Sequence, residues 1–129
     1  MKDNIMQILT QDHMYNSVKK YMADNKLGAQ AGHTIGRYLY SDGSRCAIGC
    51  ALDDNTIKEI TDLEKEVESY LVVSTLAARK LIAFENDKDM EYAINLQREH
   101  DAWCCVSHGC SSASQQDAEY YFMKVLEND

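Results

Sequence analysis

Several stretches of this 129-residue chain place apolar residues at intervals of three and four. An α-helix repeats its face every 3.6 residues, so such a stretch folds as a helix with one stripe turned inward. Ile5, Ile8, Leu9, Tyr15, Val18 and Met22 predict a first helix from Asn4 to Asp24. Ile57, Ile60, Leu63 and Val67 stripe a second, opened by Asn55 or Thr56 as cap and by the capping box Thr56-x-x-Glu59. The signal runs on through "SYLVVSTLAARKLIAF", with a break near Ser69. A third segment spans Asp87 to about Trp103. A last one starts at Ser112, with Ser112-x-x-Gln115 as its box, and turns Ala118, Tyr121, Phe122, Val125 and Leu126 inward. The chain contains no proline, so no segment is broken by one.

One region departs from this period. "RYLYSDGSRCAIGC" reads as a β-hairpin around residues 37–50. Tyr38 to Tyr40 form one arm and Arg45 to Gly49 the other, with Ser41-Asp42-Gly43-Ser44 as the turn and Gly43 free to take positive φ. The second arm is apolar at nearly every position, which predicts burial on both faces. Ahead of it, Gly28, Gly32 and Gly36 recur every fourth residue without the spacing of a phosphate-cradling loop, and read as a connector. The expected fold is α+β and mostly α-helical: four to five helices with one small hairpin, in a single domain over residues 1–129.

Charge narrows the partners. The net charge is −8, and it is uneven. Residues 1–50 carry six Lys/Arg against four Asp/Glu, and residues 51–129 carry seven against seventeen. Such an acid excess argues against nucleic acid and for a protein with a basic surface. No window approaches the roughly 20 apolar residues of a membrane span. The opening "MKDNIMQILTQDH" lacks the apolar run of an export signal, so a cytoplasmic location is expected. Five cysteines without an export signal then point to thiols or metal ligands, not a disulfide framework.

Two clusters carry residues capable of chemistry. Cys46 and Cys50 flank Ala-Ile-Gly. On a strand they stand about 13 Å apart, too far for one zinc ion, whereas a helical turn at Gly49 brings them together. Packing cysteines, a metal clip and a reactive pair all fit this spacing. The second cluster, "REHDAWCCVSHGC", sets His100 and Cys104 at i, i+4, followed by Cys105, His108 and Cys110. Imidazole and thiolate are the ligands zinc prefers. A metal site here would draw on Cys46, Cys50, His100, Cys104 and His108. His100 also continues the apolar stripe of Ala93, Leu96 and Trp103, where it is a core histidine. No cofactor other than zinc is indicated, and no established catalytic set is present.

The run from Asp53 to Glu68 holds seven acids and two lysines. Asp53, Asp54, Glu59, Asp62, Glu64, Glu66 and Glu68 form either a solvated helix face or a surface that docks on a basic partner. Tyr120, opposite the stripe of the last helix, is a candidate interface residue.

"SDGSRCAIGCALDD" and, later, "LQREHD" (Leu96 to Asp101) occur in the order found in a group of small uncharacterised bacterial and bacteriophage proteins, which the chain resembles from about Asn4 to Asp101. The group often has Ile-Pro-Asp where this chain has Ala51-Leu52-Asp53, and the Cys/His-rich tail is not one of its features. The resemblance implies a phage or prophage origin, and a structural cluster of Cys46, Gly49, Cys50, Gln97, His100 and Asp101. It implies no activity. The expected function is that of a small acidic phage-type accessory protein that binds a host protein, with inhibition of a host nuclease or defence system as one use. A zinc-stabilised structural module, or a small hydrolase using Cys46, His100 and Asp101, is the alternative. Self-association is left open.

Overall fold

Thr10 divides what the apolar period reads as one helix. Its backbone is extended (φ −114°, ψ 158°) and its side chain accepts the His13 amide at 3.2 Å, so helix α1 (Gln11–Ala23) starts only at Gln11. The computed structural model describes residues 7–33, 37–107 and 114–128. Before Thr10, Gln7–Leu9 is a strand, β1, where a helix from Asn4 is expected; Asn4 to Met6 lie outside the described residues. Its partner is β2 (Ile82–Phe84), also drawn from a segment read as helical. The two pair in parallel, with Gln7 opposite Ile82, Ile8 opposite Ala83 and Leu9 opposite Phe84. The alternation is legible in hindsight: Leu9 is fully buried and Ile8 is 58% exposed.

Helix α2 (Asp54–Val67) is capped by Asp53, whose carboxylate accepts the Thr56 amide at 2.8 Å. Thr56 is therefore the third residue of the helix and not its cap. The chain leaves α2 at Glu68, continues through the short α3 (Val73–Ala78), and reaches β2. Helix α4 (Asp87–Ser107) starts where the Asn86 side chain accepts the Asp89 amide. The Asp89 carboxylate in turn takes the amide of Gln11, which ties the starts of α1 and α4 together. Helix α5 (Gln115–Glu127) is capped by Ser114; the predicted cap Ser112 lies outside the described residues. Ala118, Phe122 and Leu126 pack inward from α5, whereas Tyr121, expected in the core, is 56% exposed beside Tyr120. A buried stripe at intervals of four leaves Tyr121 to one side, about 100° round the helix from Phe122.

The described residues thus form an α+β fold of five helices and one two-stranded sheet. The hairpin over residues 37–50 is not among its elements. Its turn is present: Gly43 has φ 89°, and Asp42 draws in both the amide and the hydroxyl of Ser44, at 2.9 and 2.6 Å. The arms beyond it do not form a ladder. Arg45 spends its backbone groups on Lys26 and Gly28, in a parallel bridge centred on Leu27. The Cys50 amide then bonds to the Cys46 carbonyl at 3.0 Å, and the stretch closes into a 3-10 turn over Gly49–Ala51. A helical turn satisfies the backbone of a buried segment internally, so the apolar arm needs no partner strand.

Candidate functional site

The segment Cys46-Ala47-Ile48 is fully buried, and its amides must find partners without water. Gln97 on α4 supplies one, its side-chain oxygen accepting the Ile48 amide at 3.0 Å. The Gln97 amide nitrogen donates to Asp101 at 2.9 Å and to the Tyr70 hydroxyl at 3.3 Å. One turn of α4 onward, His100 is fully buried, and its Nε2 accepts the Ala29 amide at 3.1 Å. That bond requires an unprotonated Nε2, so the ring carries its hydrogen on Nδ1, facing Asp101 at 3.5 Å. "LQREHD" is therefore a bracket: Gln97 holds an amide of the buried Cys46–Ile48 segment, and His100 holds one in the connector that follows α1.

Gly49 belongs to the same contact. A Cβ there would run into the carbonyl of Tyr38, so only glycine lets the turn lie this close. Arg45, which the motif reading passed over, closes the turn from outside. Its guanidinium donates to the carbonyls of Gly49 and Leu52 at 3.2 and 2.8 Å and pairs with Asp54 at 2.9 Å. The first residue of "RCAIGCALDD" thus bonds to its last.

The thiols are shielded. Burial pushes the Cys46 thiol well above its usual range, Cys50 up to about 12 and Cys104 up to about 11. The Cys46 sulfur also accepts the Gly49 amide at 3.3 Å, and Cys104 lies 3.9 Å from both ring nitrogens of His100. Cys105 is disulfide-bonded, so the five cysteines are not all thiols.

Among the described residues, no three His, Cys, Asp or Glu side chains are grouped to hold a metal ion. His100 and Cys104 touch, and Cys46 and Cys50 share a helical turn, but the four do not converge as a ligand set. The Nε2 lone pair of His100 is already taken by Ala29. His108 lies outside the described residues. A hydrolase built on Cys46, His100 and Asp101 would require a thiolate, and burial favours the neutral thiol.

A groove of about 590 Å³ opens over this bracket, lined by Arg37, Glu64, Lys65, Glu68, Tyr70 and Asp101 among others. Tyr70 stacks on Tyr38, with centroids 5.4 Å apart, and the Tyr38 hydroxyl donates to the Leu71 carbonyl. Neither tyrosine stands out in the sequence, because each acts through contacts distant along the chain.

The seven acids predicted as a docking surface divide. Asp53 caps α2, and Asp54 is held by Arg45. Glu64 accepts the Leu71 amide at 2.8 Å, and partial burial raises its carboxyl above the usual range. Glu59 is half-buried. Asp62, Glu66 and Glu68 are exposed, Asp62 beside Lys58 at 3.1 Å. No described helix is long and apolar enough to cross a membrane. Comparison with protein-family models, with curated proteins and with solved structures gives no match.

Proposed function

We propose that this chain is a small accessory protein that acts by binding a protein with a basic surface, through the exposed face of α2. One observation carries the reading: among the described residues, the Cys and His side chains of the two clusters are committed to the fold, while charge is presented to solvent. His100 and Gln97 each hold a loop amide, and Cys46 is buried. On α2, by contrast, Asp62 and Glu66 face water, as does Glu68 at its C-terminal cap. Paired charge across an interface steers encounter and is weakened by salt. The resemblance to phage proteins makes the partner a host protein, and a nuclease or other defence protein that grips nucleic acid offers a basic surface of that kind.

The test compares three full-length proteins in capture from bacterial lysate. One is wild type. One carries Asp62→Asn, Glu66→Gln and Glu68→Gln. One carries Glu91→Gln, Glu99→Gln and Glu119→Gln, an equal loss of charge elsewhere. The reading expects one basic protein held by the wild type and the second triple variant, released by salt and lost from the α2 variant. Equal retention by both triple variants would refute α2 as the docking surface. The captured protein, assayed as a nuclease with and without the chain, then tests inhibition.

A further inference from the structure

Strand β2 is bonded to β1 on one side and has no strand on the other among the described residues. Beside it lies a groove of about 320 Å³, lined by Lys80, Ala83, Phe84, Glu85, Asp87 and Met90 among others. An open strand edge is a template for an extended segment from another chain. The order of charges along this edge selects the segment.

Lys80 stands before β2, and Glu85 and Asp87 stand after it. All three are exposed, and none of their side chains makes an ion pair among the described residues. A strand laid antiparallel along β2 must be acidic opposite Lys80 and basic opposite Glu85. Read in its own direction, that strand is basic first and acidic last. Residues 80–87 of this chain have that order, so the edge is complementary to itself about a two-fold axis. A second observation comes from the backbone. Lys80 sits at φ 61°, in the left-handed region, at the position after a helix end where glycine is the favoured residue. A lysine kept in an unfavourable conformation points to a use for its side chain.

We propose that the chain forms a symmetric dimer in which β2 pairs antiparallel with β2 of a second copy, centred on Ala83. Lys80 of each copy then lies beside Glu85 and Asp87 of the other, and Ile82 lies opposite Phe84. A three-residue strand buries a small interface, so the dimer is weak, with a dissociation constant of roughly 100 µM.

Sedimentation equilibrium of the full chain, from about 10 µM to about 1 mM, brackets that constant. A monomer–dimer equilibrium is expected. Lys80→Glu should weaken it roughly tenfold, because two like-charge contacts replace two attractive ones. Adding Glu85→Lys to the same chain should restore it. Amide hydrogen exchange should slow, as wild-type concentration rises, at those amides of Ile82 to Phe84 that point away from β1, a readout that needs no variant. A monomer across the whole range overturns the proposal. So does a dimer indifferent to both substitutions, or one that leaves these amides unprotected. The α2 charge variants should dimerise like the wild type, so this test and the docking test fail separately.

Discussion

The Ile48 amide is buried and has one acceptor, the side-chain oxygen of Gln97. Removing that oxygen strands a donor in the core, whose cost is the desolvation of an amide with nothing returned. Gln97→Leu keeps the bulk and loses the acceptor, so it should lower unfolding free energy by about 1–3 kcal/mol in urea titration. Arg98→Ala, one residue along on the exposed side, should change it by less than about 0.5 kcal/mol. The residue scale is also where the sequence was most readable. The resemblance groups Cys46, Gly49 and Cys50 with Gln97, His100 and Asp101, and in the fold the bond from the Ile48 amide to Gln97 joins the two stretches. Arg45, Tyr38 and Tyr70 escaped because their roles depend on partners that no local spacing reveals.

At the scale of elements, helix periodicity located α2, α4 and α5 because each buries a stripe of its own. It failed at both strands, for one reason. A three-residue strand shows too few alternations to compete with the helical period around it, and β1 and β2 are joined only in three dimensions. The hairpin reading failed differently. Its turn residues behave as read, but the partner of Arg45 is Leu27, and a parallel bridge leaves no trace of alternation between neighbouring arms. The end of α3 offers a direct test. Lys80 follows the helix with φ 61°, and the Leu81 amide reaches back to Leu76. Lys80→Gly relieves the left-handed strain and should raise the melting free energy of the dilute monomer by about 0.5–1 kcal/mol. The same change deletes the charge from the β2 edge, so the more stable protein should dimerise less.

For the molecule as a whole, the buried thiols set an alkaline limit. The folded Cys50 and Cys104 ionise near 12 and 11, against 9.0 for an unburied thiol. Their contribution to stability is complete below pH 9 and is lost as pH rises through 11 and 12, because the unfolded chain releases those protons first. Denaturation midpoints should therefore fall over that range, and Cys50→Ser with Cys104→Ser should flatten the fall. At pH 8 the native protein should resist iodoacetamide at Cys46, Cys50 and Cys104, and label at all three in denaturant. The joining of β1 to β2 has a consequence in time. Gln7 leaves the ribosome long before Ile82, its partner in the sheet, has been made. Tyr15 and Lys19 of α1 wait longer still, for Glu127 near the end of the chain. Strand β1 is thus made well before the strand that places it, and closing so long a loop is slow. Until then the nascent chain carries β1 unpaired and the inner face of α1 covered only in part, by the Gly49–Ala51 turn, which makes the interval of translation, more than the finished fold, the period when this protein is open to chaperones and to misassembly.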